Sequence, residues 1–261
     1  MNKLLTSLAV LSLALTACGR GAEADTAEDG DESAVVTSSE SSLTTELSDE
    51  VAQPVSATPS DLATAASTRV GAHMQPAGCL TTTVNGATVT YVFNDCTGPY
   101  GMVHITGTVV GVYSRATGGI VQGVFTGTGV KVNNAVIDLN STVKASQSGS
   151  VKTADVVADT SGTGPRGNSF TRNGTYTVTW DSAAECVTLN GTWNTKVGGL
   201  RSITTTVADY KRCKGTCPAA GGTIETTYAR TVVTLSYDGS ATASWSTSGG
   251  RSGTVSLQCG K

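Results

Sequence analysis

TYTVTW, residues 175–180, alternates with period two: Tyr176, Val178 and Trp180 fall on one side of an extended chain, Thr175, Thr177 and Thr179 on the other. The pattern recurs downstream. VVTLSY groups Val233, Leu235 and Tyr237; ATASW groups Ala241, Ala243 and Trp245; TVSLQC groups Val255, Leu257 and Cys259. A strand with one dry and one wet face writes this pattern, and Thr is the polar residue that best suits a pleated surface. Turn dipeptides punctuate the runs at Asn85-Gly86, Gly118-Gly119, Asn133-Asn134, Asn173-Gly174, Asn190-Gly191, Asp238-Gly239 and Gly249-Gly250. Asn-Gly and Asp-Gly supply the positive φ of tight hairpins, although Asn190-Gly191 reads equally well as a bulge inside a longer strand. The expectation is an all-β domain of about ten to thirteen strands, an antiparallel meander. A sheet that wide must curl or split into two layers, giving a sandwich or an open barrel. The loop at 160–169, TSGTGPRGNS, is the best boundary if there are two units; the reading favours one.

Upstream the composition changes. Residues 19–70 carry eleven acidic residues and two arginines, a net −9, and no Phe, Trp or Tyr precedes Tyr91. Low aromatic content with high like charge predicts a disordered acidic tether over 18–70, spanning roughly 40 Å as a flexible coil. Leu43, Leu47 and Val51 have helical spacing and Ser60-Asp61 could cap a short helix, read here as nascent and without a partner. The head, 71–261, reverses the charge with fourteen Lys and Arg against nine Asp and Glu, a net +5. It lacks the basic clusters and aromatic–basic alternation of nucleic-acid binders, so no nucleic-acid partner is expected.

The chain opens MNKLLTSLAVLSLALTAC: one Lys, then an uncharged apolar run too short to span a bilayer comfortably. This is the form of a secretory signal, residues 1–17. LTAC at 15–18 resembles the lipobox of bacterial lipoproteins. The resemblance covers the signal and Cys18 only. It implies cleavage before Cys18 and acylation there, a firm anchor because each buried methylene adds about 0.8 kcal/mol. Gly19, where an Asp would favour inner-membrane retention, implies an outer-membrane destination in the cell envelope. The head resembles no named family, only uncharacterised exported β-rich lipoproteins.

Six cysteines remain: Cys79, Cys96, Cys186, Cys213, Cys217 and Cys259. In an exported chain they predict three disulfides. Cys79 and Cys96 flank one hairpin and should pair. For the rest, either Cys213 and Cys217 close a small loop, leaving Cys186 for Cys259, or each staples to a strand. A C-x3-C pair with only His73 and His104 elsewhere is a poor zinc set, and no metal or cofactor is expected.

Candidate chemistry is thin. Gly162-Thr163-Gly164-Pro165-Arg166-Gly167 is formally G-x-G-x-x-G, but a strand rather than a helix follows it. His104 in MVHITG reads as a wet-face residue without a nucleophile elbow. The head holds two Glu, Glu185 and Glu225, and several of its Asp (Asp95, Asp181, Asp238) occupy turns. Trp180, Trp193 and Trp245 could stack on sugars, yet Trp180 and Trp245 share the apolar phase of their strands, which suits a core. No catalytic residues are assigned. The reading is a non-enzymatic, membrane-anchored module, structural, adhesive or binding a surface protein or glycan. The alternative is a carrier with a lipid or other small molecule inside a curled sheet.

Overall fold

The computed structural model describes residues 57–97, 104–117, 120–198, 201–257 and 259. The signal, Cys18, the Leu43–Val51 spacing, the acidic tether up to residue 56 and the Gly118-Gly119 turn lie outside the described residues.

Among the described residues one helix, α1 (Pro59–His73), precedes thirteen strands. These are β1 (Leu80–Asn85), β2 (Thr88–Thr97), β3 (His104–Arg115), β4 (Val121–Val132), β5 (Ala135–Ser148), β6 (Val151–Thr163) and β7 (Ser169–Asp181). They continue through β8 (Cys186–Val197), β9 (Arg201–Cys213), β10 (Thr223–Tyr228), β11 (Thr231–Tyr237), β12 (Thr242–Thr247) and β13 (Ser252–Ser256). All thirteen form one antiparallel sheet in sequence order, and the sheet does not close into a barrel. The loop at 160–169 is only the β6–β7 hairpin, so it divides nothing.

Alternation decides which face is buried. Along β7 the inward residues are Phe170, Arg172, Gly174, Tyr176, Val178 and Trp180, and the intervening residues are exposed or half-buried. Helix α1 packs on β1, β2 and β3. The inner face of the remaining strands is therefore covered by the sheet itself, which wraps around a single apolar core running from Leu62 to Ala243.

Bulges supply the bends. Register slips between Phe93 and Cys96 on β2, between Gly127 and Val130 on β4, and on β9 opposite Leu189–Gly191. Asp95, Gly129 and Asp209 take φ of 54°, 63° and 51° there. The amides that the bulges free from the ladder are not wasted: Gly129 N donates to Asp138 Oδ1 at 2.7 Å and Asp209 N to Asn190 Oδ1 at 2.7 Å. Asn190-Gly191 thus sits within β8, facing a bulge on its neighbour. Asn173-Gly174 is not a turn either; it lies mid-strand in β7, paired with Asn194 and Trp193.

Residues 59–70 correct the sequence boundary. Thr58 caps α1 with its side chain accepting from Asp61 N while the Asp61 carboxylate takes the Thr58 N–H, a capping box followed by Pro59. Leu62, Ala63, Ala66 and Val70 are at most 3% exposed. The helix has a partner after all, the inner edge of β1–β3, and Arg115 Nε fastens its entry by donating to Ala57 O at 2.6 Å. Composition hid this because small apolar residues, not aromatics, make the contact.

Three disulfides hold the described part of the head: Cys79–Cys96, Cys186–Cys213 and Cys217–Cys259. The first pairing is the expected one. The small Cys213–Cys217 loop does not form; each of the two staples elsewhere, because Cys213 lies opposite Cys186 in the β8–β9 register.

Candidate functional site

The wet face carries registered rows of short side chains. Antiparallel pairing sets Thr142, Val157, Thr175, Thr192 and Thr206 side by side across β5–β9. The next row is Asn140, Asp159, Asn173, Asn194 and Thr204. Neighbours in a row stand about 4.8 Å apart, the strand spacing. They also bond: Thr204 Oγ1 donates to Asn194 Oδ1 at 2.9 Å, and Thr177 Oγ1 to Asp155 Oδ1 at 2.7 Å in the row on the other side of the first. Of the five residues in the second row, Asn140, Asp159, Asn173 and Asn194 are exposed.

The dry face holds a second feature, a polar belt inside the apolar core. Thr160, Arg172 and Thr195 are direct neighbours across β6, β7 and β8. Ser141 and Thr205 lie in the adjoining inward row with Ala158, Gly174 and Trp193. Arg172 is 1% exposed, so its guanidinium has left water. Arg172, Gly174 and Tyr176 are successive inward positions on one strand, and Trp193 enters from β8 opposite the glycine. The indole occupies the space a side chain would take: a Cβ on Gly174 would lie 2.2 Å from Trp193 Cδ1. The Arg172 guanidinium carbon stands 5.4 Å from the indole centroid, and the Tyr176 ring centroid 5.1 Å from it. A cation–π interaction of this kind, away from water, offsets part of the cost of burying the charge. Ser141 Oγ, Thr160 Oγ1 and Trp193 Nε1 are buried without a hydrogen-bond partner. The belt was readable in principle: the Tyr176–Val178–Trp180 phase, run back through Gly174, reaches Arg172.

A third polar group packs against the turn after β9. Arg212, buried on β9, donates from Nε to Thr216 O at 3.2 Å and bonds the Tyr210 hydroxyl. Tyr210 and Tyr237 meet edge-on at 5.3 Å. Burial pushes both phenols above their usual range, with Arg212 pulling Tyr210 back and Tyr210 raising Tyr237 further.

The sequence candidates are scattered. His104 is exposed at the start of β3, its Nδ1 3.3 Å from Thr97 Oγ1, and His73 ends α1. Glu185 pairs with Lys214 at 2.7 Å near the Cys186–Cys213 bridge, whereas Glu225 is exposed on β10. Asp181 organises the β7–β8 turn by accepting from Ala183 N, Ala184 N and Ser150 Oγ. Those bonds, the Ala184 amide first, hold its carboxyl below the usual range. Gly162–Gly167 runs from the end of β6 into the hairpin turn. Trp180 and Trp193 are buried and Trp245 packs half-buried against the core. Among the described residues, no three His, Cys, Asp or Glu come together in a way that could hold a metal ion.

The fold and these two faces define the class: an all-β protein built on one open antiparallel meander. No family model, no curated protein and no solved structure matches the chain.

Proposed function

We propose that this chain is a lipid-anchored protein of the bacterial cell envelope, held at Cys18 and acting without catalysis, whose β head binds envelope glycan through the wet face of β5–β9. The registered Thr, Asn and Asp rows carry the reading. They present hydroxyl, carboxamide and carboxylate groups at strand spacing, matched to a hydroxyl-rich polymer. Short side chains lose little rotamer entropy when a partner lands on them. Protein interfaces instead centre on aromatic and apolar side chains, which these rows lack apart from Val157.

Co-sedimentation of the full chain with purified insoluble envelope glycan tests the face. Wild type should pellet, and Thr175→Lys with Thr192→Lys should stay in the supernatant; equal pelleting removes the wet face from the reading, and no pelleting removes the glycan. Fractionation tests the anchor. Cys18→Ala should move the chain from membranes to the soluble fraction, and unchanged membrane partition refutes it.

A further inference from the structure

The wet face leaves the interior belt without a role, and burying it is costly. Each unpartnered buried polar group costs roughly 1–3 kcal/mol, and Ser141 Oγ, Thr160 Oγ1 and Trp193 Nε1 lie in two adjoining rows of one sheet face. Ala for Ser141 or Val for Thr160 would relieve that cost with little change of shape. The groups share a chemistry: the hydroxyls and the indole can all donate, and beside them stands a buried guanidinium. Donors around a positive charge select an anion. Planar or tetrahedral oxygens suit a guanidinium fork better than a spherical ion.

We propose that the belt centred on Arg172 is a binding site for one oxyanion group, a carboxylate or phosphate, with Thr160, Ser141 and Trp193 as hydrogen-bond donors. Its position gives a route in. One inward step toward the strand ends, about 7 Å, Ile137, Gly162, Phe170 and Val197 form a single apolar layer across β5–β8. Beyond that layer one more inward position, held by buried Ala135 and Gly164, precedes the Asn133-Asn134 turn and the 164–168 turn. An occupant reaches the belt from this end by displacing Phe170 and Val197, the core residues that close it. The same layer and the aliphatic residues around it, Leu139 and Ile203, would accept the chain of an acyl carboxylate. A free phosphate would need only the donors.

Calorimetric titration of the full chain in mild detergent, with inorganic phosphate and separately with decanoate, tests this. One saturable site per chain is expected for at least one probe. Phosphate binding identifies a free oxyanion, and binding of decanoate alone identifies an acyl carboxylate. Thr160→Val should weaken that binding roughly 10-fold or more, the loss of one hydrogen bond to a charged group, without lowering the melting temperature of the probe-free protein. Arg172→Met should abolish it if the variant folds; the Thr160 variant keeps the test valid if it does not. No saturable binding of either probe, or equal binding by Thr160→Val, overturns the proposal. Thr175→Lys on the wet face should leave probe binding intact, so the interior site and the glycan-binding reading fail or stand separately.

Discussion

Gly174→Ala distinguishes the two meanings a glycine after Asn173 can have. In a turn, or in a strand with room, Ala at this position would be neutral or would stabilise by about 0.4–1 kcal/mol through the unfolded chain. Gly174 has no positive φ to protect, so backbone strain plays no part. Space decides instead. A Cβ would sit 2.2 Å from Trp193 Cδ1, 2.6 Å from Nε1 and 3.1 Å from Cγ, so the ring itself must move. Trp193 is 2% exposed and has Arg172 and Tyr176 against it, leaving it little room to give way. Overpacking costs about 1–3 kcal/mol, and displacing the ring from its aromatic neighbour about 0.5–1.5 kcal/mol more. The guanidinium also forfeits part of its attraction to the indole face. The expected total is about 3–4 kcal/mol, a large share of a typical domain's stability. Urea unfolding followed by tryptophan fluorescence, with disulfides intact, reads this as a lowered midpoint at unchanged slope. The control is a cycle with Trp193→Leu. Once the indole is gone, Gly174→Ala should cost almost nothing further. A Gly174→Ala midpoint equal to or above wild type would refute the packing argument, and so would an undiminished cost on the Trp193→Leu background.

Truncation tests the helix: a chain starting at Ala57 should melt like the longer protein, while one starting at Gly71 loses fully buried Leu62, Ala63 and Ala66 and should melt well below it or aggregate. Equal melting would return residues 57–70 to the tether. Peptide mapping without reduction should recover Cys79–Cys96, Cys186–Cys213 and Cys217–Cys259, and a Cys213–Cys217 peptide would overturn the fold around β9. By the chain-entropy relation the Cys217–Cys259 loop of 42 residues stabilises by about 4 kcal/mol, so the Cys217→Ala/Cys259→Ala protein should melt lowest of the three paired deletions. Acid should destabilise the head. Asp61, Asp181 and Asp238 are held below their usual range by bonds from Thr58, from Ala184 and Ser150, and from Ser240. A depressed folded value gives stability that is complete above the unfolded value, about 3.9, and lost as pH falls through the folded one. Asp181→Asn should flatten that acid limb, as read by melting temperature against pH, and an unchanged limb would remove the β7–β8 turn from the account.

Alternation was legible because it is a property of each strand alone. Tyr176, Val178, Trp180, Leu235 and Tyr237 are all buried, and the thirteen strands stand at the upper end of the expected range. What depends on two strands at once was not legible. Asn173-Gly174 and Asn85-Gly86 are the same dipeptide. Gly86 does take the positive φ of a turn, at 56°, whereas Gly174 stays extended because Trp193 arrives from β8 to fill its place. The CKGTC spacing left two pairings open for the same reason, and only register, which sets Cys213 against Cys186, decides between them. Helix α1 was read as nascent and without a partner for the opposite reason. Its capping box spans Thr58 to Asp61 and is local, but the worth of its Ala-rich face depends on β1–β3.

The polar belt combines both kinds of information. Phase alone assigns Arg172 to the dry face, yet a charged residue at a buried phase is usually taken as a break in the strand, and the neighbouring Asn-Gly encourages that mistake. Only pairing reveals that polarity is shared across strands. Thr160 and Thr195 flank the arginine in one row, and Ser141 and Thr205 complete the next. Hydroxyls at dry positions on β5, β6, β8 and β9, grouped about one arginine on β7, concentrate polarity where most of the inner face, Arg212 apart, is aliphatic or aromatic. A sheet selected only for stability would replace Ser141 and Thr160 by Ala and Val, which fit the same space and need no partner. Their presence beside a buried guanidinium is the physical reason to look for an oxyanion there, and Thr160→Val separates the alternatives: a hydroxyl kept for binding loses affinity, whereas one kept by accident only gains stability.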